Sequence, residues 1–277
     1  RCRTFYENCN MGVMESGTVV WIVEKGNSRW KIGVFKDGKI VDITHLDPGE
    51  DLSLGHLPPG QVDGVLLTGS GDWNTGIAEM LRTRSKGGVT EIKHGDPHPL
   101  ETEVEDPGSL GTDRVANAFA VQSGVIQGLE QSNVWMIVDI GTCVTTDVVC
   151  DGLHLGGSIS PGLSMRINAM RDGTAALSGV EKEVWAKLAP FKGETIGKTT
   201  QDAMIKGAAD GISAEIIGRW RILNEQVGDE EAVGVILTGG DSALLELGRV
   251  MPKFADSNLT LKGYYAIFSH IQLSSNI

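Results

Sequence analysis

The sequence lacks the features of several protein classes. Its four cysteines, among 277 residues, include no C-x-x-C pair, so a cysteine-held zinc site is not expected. No apolar run approaches the roughly 20 residues that a membrane span requires, and the first residues contain no apolar core of a secretory signal. We therefore expect no membrane partner and a reducing, cytoplasmic location.

Positive charge is also scarce. Lys and Arg number 24 against 36 Asp and Glu, which gives a net charge of -12 and a pI of about 4.9. The basic residues are scattered, whereas a nucleic-acid surface needs them collected in a stripe. We therefore expect no nucleic-acid partner. An acidic enzyme can still bind ATP where metal ions and backbone amides meet the phosphates.

The length predicts two domains at about 150 residues each. Residues 1–17 are expected to be a disordered stretch or an extension, residues 18–130 an N-terminal lobe and residues 131–277 a C-terminal lobe. Alternating apolar runs and turn residues predict a three-stranded meander at the start of each lobe, at 18–24, 30–35 and 39–44 and again at 133–139, 144–150 and 153–159. Further strands are predicted at 61–68 and 232–237, and helices at 77–84, 112–130, 163–172, 201–225 and 242–250.

Two similar turns stand out in what the sequence does contain. Residues Val138–Thr146 read VDIGTCVTT, and Val23–Lys31 read VEKGNSRWK, a looser copy. In each, an acid ends an apolar strand and a glycine with a hydroxyl or amide neighbour follows. The acid can hold a cation, and the glycine lets backbone N–H groups approach phosphate oxygens. The pair indicates two lobes closing on one nucleotide, although either turn taken singly is equally typical of an ordinary hairpin.

Three more stretches complete a recognisable set: LGTDRVANAFA at 110–120, GGSISPGLSMR at 156–166 and LTGGD at 237–241. With the two turns, they resemble the type III pantothenate kinases, in that family's order over residues 18–265. The resemblance implies an α/β fold of two ribonuclease-H-like, actin-like ATPase lobes with a nucleotide cleft between them. It also implies transfer of the γ-phosphoryl group of ATP to pantothenate, the first step of coenzyme A biosynthesis. Implied partners are Mg²⁺ with ATP, a monovalent cation (K⁺ or NH₄⁺) and a second copy of the chain in a homodimer.

The resemblance assigns a role to each motif. Asp113 matches the general base, since an attacking alcohol needs a proton acceptor. The alternative for Asp113 is an acid that only stabilises the first turn of a helix, with Thr112 as its N-cap. Asp139 matches the metal carboxylate. The residues implied for substrate binding are Gly111, Thr112, Arg114 and Thr174, the last reaching the other subunit's site or, alternatively, only ending a helix. Those implied for ATP binding are Glu24, Gly26, Asn27, Ser28, Lys31, Gly141, Thr142, Gly239 and Gly240.

Three positions depart from the family pattern. Glu24 stands where the family has Asp, Lys25 where it has an apolar residue, and Val104 where it has an acceptor-site Tyr. These departures favour an alternative function: a catalytically impaired relative that acts as a regulatory or binding protein. The intact Asp113 and Asp139 favour the kinase.

Overall fold

The computed structural model describes residues 16–27, 29–70, 73–126, 128–129, 132–181, 185, 196–228, 233–245, 247 and 253–275. Most of the predicted extension at residues 1–17 lies outside these ranges, as do Ser28 and part of the predicted helix at 242–250. The described chain divides into two compact units. Unit 1 comprises residues 1–129, 152–154 and 259–277, and unit 2 comprises residues 130–151 and 155–258.

Unit 1 is built on a five-stranded sheet in the order β3-β2-β1-β4-β5. Strands β1 to β3 form an antiparallel meander, whereas β4 and β5 run parallel to β1. The second meander turn is Asp37–Gly38, where both residues have positive φ, as a tight hairpin requires. The strands are β1 (Val19–Lys25), β2 (Trp30–Lys36), β3 (Lys39–His45), β4 (Gly64–Gly69) and β5 (Val89–Ile92).

Unit 2 repeats this topology. Its sheet has the order β10-β9-β6-β7-β8, which is the order of the first sheet read from the opposite edge. The central strand β6 is antiparallel to β7 and parallel to β9, as β1 is to β2 and β4. The strands are β6 (Val134–Ile140), β7 (Cys143–Cys150), β8 (Leu153–Pro161), β9 (Val233–Thr238) and β10 (Lys253–Ala255). This repeat confirms the predicted pair of ribonuclease-H-like lobes.

Five α-helices cover the sheets in the described part of the chain. In unit 1, α1 packs on one sheet face, where Trp21, Trp30 and Leu81 are buried in a shared apolar cluster. In unit 2, α3 and α4 pack on the sheet through a cluster that includes Ile167 and Ile212. Glycine 228, with φ of 85°, ends α4 in the left-handed conformation. The helices are α1 (Thr75–Arg82), α2 (Thr112–Gln122), α3 (Leu163–Gly173), α4 (Thr200–Val227) and α5 (Leu259–Ser275).

Helix α5 lies between the first sheet and α2. On the sheet side, Tyr265 stacks on Phe35 with ring centroids 4.5 Å apart. On the other side, Gly263 lies so close to the backbone of Ala116 in α2 that a Cβ would stand 1.9 Å from that carbonyl oxygen. Ten of its 17 residues are buried, so α5 is apolar on nearly all faces.

The sequence analysis placed residues 259–275 in the C-terminal lobe, whereas the structure places them in unit 1. It also predicted neither α5 nor the short strands β5 and β10. The predicted helix at 112–130 ends at Gln122, because Gly124 adopts a positive φ of 69°. Of the predicted helix at 242–250, the described residues form only a 3-10 turn, Ser242–Leu244. No helix among the described residues combines the length and the apolar character that spanning a bilayer demands.

Candidate active site

The first acid-glycine turn is a tight hairpin between β1 and β2. Lys25 pairs with Trp30, and the amide of Gly26 donates to the carbonyl of Arg29 at 3.0 Å to close the turn. Asn27, at its tip, accepts a hydrogen bond from the Ser70 hydroxyl at 3.1 Å, and the Ser70 amide donates to the Lys25 carbonyl at 3.0 Å. The hairpin is therefore anchored to the end of β4.

The charged side chains on this hairpin each lie against a different partner. The Glu24 carboxylate is 6% exposed and lies 3.5 Å from the Lys31 ammonium, its cross-strand neighbour. The Lys25 ammonium instead lies 5.6 Å from the centroid of the Trp30 ring, a cation–π contact. Lys25 therefore projects away from Glu24, and Lys31 is the cation that pairs with the Glu24 carboxylate.

Two basic residues of the hairpin, Lys31 and Arg29, act on His45 of β3. His45, opposite Lys31 in the sheet, has a pKa below its ordinary value of 6.5, first because it is partly buried and then because Lys31 and Arg29 repel a second positive charge. The same positive charge favours phosphate oxygens at this turn.

The acceptor motif occupies the start of α2. Gly111 is the N-cap and Thr112 the first helical residue, so the expectation that Thr112 caps the helix is wrong. The Asp113 carboxylate accepts a hydrogen bond from the Arg114 amide at 2.9 Å. A Cβ at Gly111 would stand 2.6 Å from that carboxylate. Glycine is therefore needed at this position for space, since its φ of -60° is open to any residue.

Two buried partners hold the motif in place. The Tyr264 hydroxyl donates to Thr112 Oγ1 at 3.1 Å, and the Thr260 hydroxyl donates to Asn117 Oδ1 at 2.9 Å. Both donors lie on α5. The second bond makes Asn117 a contact between α2 and α5.

The second acid-glycine turn lies at the end of β6 in unit 2. Asp139 pairs in register with Thr145 of β7 and Thr238 of β9. The Gly141 amide donates to the Cys143 carbonyl at 2.9 Å, which closes the turn. A Cβ at Gly162 would stand 2.1 Å from the Gly141 carbonyl oxygen, so the S-P-G segment is in backbone contact with this turn.

The third predicted ATP-binding segment meets the same strand end. Gly239 has φ of 93°, and a Cβ there would stand 2.4 Å from the Asp139 carboxylate and 2.4 Å from the Ile140 carbonyl. The Asp241 amide donates to the Ile140 carbonyl at 2.9 Å. Unit 2 therefore brings Asp139, Gly141, Thr142, Gly239 and Gly240 to one edge of its sheet.

Thr174 lies apart from these contacts. It is the C-cap of α3, exposed, and its hydroxyl donates to the Met170 carbonyl at 2.9 Å. This is the helix-ending role that the sequence left as its alternative. Its predicted role across a dimer stays a prediction.

Unit 1 contains a counterpart of this third segment that was not predicted from the sequence. Residues 65–70 read VLLTGS and residues 235–240 read VILTGG, and this internal repeat was available as a signal. Thr68 pairs with Glu24 as Thr238 pairs with Asp139, and both threonines are fully buried. Gly69 then takes a positive φ of 148°, and a Cβ there would stand 2.2 Å from the Lys25 carbonyl. Each acid is thus flanked by a buried threonine and a close-packed glycine.

The acidic residues suit a magnesium ion held jointly with phosphate. Among the described residues, no group of three or more His, Cys, Asp or Glu side chains forms a metal cage. Mg²⁺ commonly uses one or two carboxylates and completes its shell with water and phosphate oxygens. Asp139, beside glycine backbone on two sides, has the chemistry for such a carboxylate.

Comparisons with known proteins give a consistent result. A model of the type III pantothenate kinase family matches residues 65–221. The type III pantothenate kinase of Phocaeicola vulgatus is 30% identical over 262 residues, covering 90% of this chain and 97% of that protein. That of Cytophaga hutchinsonii is 30% identical over 253 residues, covering 90% and 98%. The solved activator of the 2-hydroxyisocaproyl-CoA dehydratase from Clostridium difficile, with bound ADPNP, has a TM-score of 0.51 at 13% identity, covering 94% of this chain and 98% of that one. This last likeness bears on the fold alone.

Proposed function

The chain belongs to the type III pantothenate kinase family, and from this premise we propose how its residues carry out that reaction. It is an ATP-dependent kinase that phosphorylates pantothenate to 4'-phosphopantothenate, the first step of coenzyme A biosynthesis. The observation that carries the assignment of roles is the acceptor turn, where Gly111 leaves room for the Asp113 carboxylate at the start of α2.

Asp113 is the proton acceptor of the transfer. As the pantothenate hydroxyl oxygen forms its bond to the γ-phosphorus, the hydroxyl proton passes to the Asp113 carboxylate and the bond to ADP breaks. Phosphoryl transfer depends mainly on positioning and on stabilising charge, so the remaining groups need only bind and orient. Arg114, beside Asp113, and the turn at Gly111–Thr112 bind the acceptor. Because the Thr112 hydroxyl already accepts a hydrogen bond from Tyr264, Thr112 binds the acceptor through its backbone N–H.

The glycine turns bind ATP. Gly26 and Asn27 on the first hairpin, with Ser28 as its expected neighbour, and Gly141 and Thr142 on the second, present backbone amides to the phosphates. Lys31 supplies positive charge next to Glu24. Gly239 and Gly240 form the turn on the adenosine side. Asp139 would hold Mg²⁺, which would supply charge neutralisation to the phosphates when it binds with ATP.

Further expectations come from the family. A monovalent cation, K⁺ or NH₄⁺, accompanies ATP in the site. The protein acts as a homodimer in which Thr174 completes the acceptor site of the second subunit. Leu155, Ile159 and Met165 are exposed on β8 and α3, and this apolar surface supports a dimer contact there. The reaction is placed in the cytoplasm, where ATP is available.

A coupled assay of ADP release with and without pantothenate tests this function. Pantothenate-dependent ADP release, absent with Asp113→Asn, is the expected result. Loss of the general base should lower kcat by roughly 10²- to 10⁴-fold, while the Kd for ATP stays close to that of the parent. A parent that releases no ADP in response to pantothenate, or an Asp113→Asn variant that keeps most of its turnover, would contradict the assignment. Replacing K⁺ by Na⁺ in the same assay tests the cation.

A further inference from the structure

Tyr264 belongs to none of the motifs, yet its side chain ends beside the acceptor turn. The residue lies on α5, is 1% exposed, and donates its hydroxyl to Thr112 Oγ1 at 3.1 Å. Thr112 is the residue between Gly111 and Asp113, so this bond is made at the first turn of α2.

The backbone behind Tyr264 is fixed on α2. One residue earlier, Gly263 is in backbone contact with Ala116, and one turn earlier, Thr260 bonds to Asn117 at 2.9 Å. Three successive contacts therefore match one face of α5 to one face of α2. This arrangement leaves the Tyr264 hydroxyl little freedom to move away from Thr112.

Two acids of unit 1 act on the phenol of Tyr264: Glu24 of the first acid-glycine turn and Asp113 of the acceptor turn. Burial raises the pKa of Tyr264 well above its ordinary value, and the charges of Glu24 and Asp113 raise it further, while the hydrogen bond with Thr112 lowers it. The phenol thus remains protonated and is always a donor. Its oxygen lies at the start of α2. Because the phenol stays protonated, it does not act as the base of the reaction.

We propose that Tyr264 is a positioning residue for the phosphoryl transfer: its hydrogen bond to Thr112 holds the first turn of α2, and with it Asp113, in place against α5. The inference rests on the proposed role of Asp113. Misplacing a reacting group by about 1 Å can cost about 100-fold in rate. The proposed ATP-binding residues lie on other turns and the proposed acceptor-binding residues on this one, so we expect the effect in kcat and in KM for pantothenate and not in KM for ATP.

The test compares two tyrosines that are neighbours in sequence. Tyr264→Phe removes only the hydroxyl at the acceptor turn, and Tyr265→Phe makes the same change where the ring stacks on Phe35. We expect Tyr264→Phe to lower kcat by about tenfold or more, with KM for ATP unchanged, and Tyr265→Phe to match the parent. Thermal unfolding of both variants ensures that kcat is measured on folded protein. A Tyr264→Phe kcat within about twofold of the parent would overturn the proposal.

A double-mutant cycle tests the route through Thr112. Thr112→Val removes the acceptor of the same bond, so the double variant should be no slower than the slower single variant. Losses that multiply would show that Tyr264 acts independently of Thr112, against the proposal. Amide hydrogen exchange gives a readout that does not need turnover. Exchange at residues 113–116 should rise in Tyr264→Phe and not in Tyr265→Phe, and equal exchange in both would overturn the proposal even for an inactive parent.

Together, these measurements distinguish a failure of the role of Tyr264 from a failure of the proposed function. An active parent that Asp113→Asn inactivates, with Tyr264→Phe unaffected in rate and exchange, would remove the role of Tyr264 alone. A parent without pantothenate-dependent ADP release would instead remove the proposed function, while the exchange comparison would still decide whether Tyr264 orders the turn.

Discussion

Single residues in the acceptor turn are constrained by the space around a carboxylate. Gly111 has an ordinary φ, so glycine is not required there for backbone freedom. It is required because a Cβ would stand 2.6 Å from Asp113 Oδ1, inside van der Waals contact. An added methyl group would force the carboxylate to rotate, since the neighbouring backbone belongs to a packed helix.

We predict that Gly111→Ala lowers kcat while leaving the fold intact. Rotating the Asp113 carboxylate away from the acceptor should cost about 10- to 100-fold in kcat, with the thermal unfolding midpoint nearly unchanged. Gly55→Ala is the matched control, because the nearest atom to its Cβ is the Ser53 hydroxyl oxygen at 3.7 Å, an ordinary contact. Equal rates for the parent and Gly111→Ala would show that the carboxylate tolerates displacement.

The depressed pKa of His45 supplies a pH prediction. Because the folded-state pKa is below the ordinary value of 6.5, the fold favours neutral imidazole, and stability falls as pH drops through the interval between the unfolded and folded pKa values. Lys31→Gln removes one repelling charge and should raise the pKa of His45, as NMR titration of the imidazole would detect. Lys39→Gln, at the other end of β3, should leave it unchanged. An unaltered His45 pKa in Lys31→Gln would show that Lys31 does not contribute to the shift.

The roles of residues that lie in short motifs could be predicted from the sequence. The motif containing Asp113 and the turns at Glu24 and Asp139 could be located from sequence because acid, glycine and hydroxyl are consecutive. Tyr264 could not, since its partner Thr112 is 152 residues away in the chain. Lys31 was predicted to bind ATP, but its ion pair with Glu24 depends on cross-strand register, which the hairpin sets.

Among the secondary-structure elements, α5 was the hardest to predict for a physical reason. A surface helix has an apolar stripe, whereas α5 is buried between the first sheet and α2 and is apolar on most faces. Its aromatic residues are more typical of a strand than of a helix, and Gly263 lowers its helix propensity. Strands β5 and β10 have four and three residues, too few for an alternating pattern to be recognised. Helix α4, with 28 residues and a Thr199 cap, was predicted because its signals are long and regular.

Two glycines within helices should respond to alanine in opposite directions. Gly263→Ala places a Cβ 1.9 Å from the Ala116 carbonyl oxygen, so α5 must move off α2, and overpacking of this kind costs about 1–3 kcal/mol. Gly207→Ala, in α4, meets no heavy atom within 4 Å and should stabilise by about 0.5–1 kcal/mol through helix propensity. Denaturant unfolding of the two variants measures the sign of each change in the free energy of unfolding. Stabilisation by Gly263→Ala would contradict the close helix contact.

On the scale of the whole molecule, the exposed apolar surface of β8 and α3 bears on assembly. Ile159 is 61% exposed and Leu155 42% exposed on the same strand, with Met165 at 39% on α3. Alternate side chains share one face of a strand, so Leu155 and Ile159, four residues apart, form an apolar strip that is interrupted by Gly157. In the proposed dimer, a second copy of the chain covers this strip.

We predict that the parent sediments as a dimer at micromolar concentration and that Ile159→Lys sediments as a monomer. If Thr174 completes the partner's acceptor site, the monomer should also lose pantothenate-dependent ADP release while keeping its affinity for ATP. Ile222→Lys is the matched control, because Ile222 is 55% exposed on α4 and outside the strip. A monomeric parent, or a dimer that persists in Ile159→Lys, would remove this surface from the assembly.

The placement of α5 in unit 1 has a consequence for synthesis on the ribosome. Residues 259–275 emerge after every residue of unit 2, so the first unit to be translated is the last that can be completed. Until then, the buried faces that α5 covers on the first sheet and on α2 remain exposed on the nascent chain, where they are open to chaperones. The order of maturation therefore reverses the order of translation. A chain arrested before residue 259 would contain every motif of the site and still lack the helix that orders its acceptor turn.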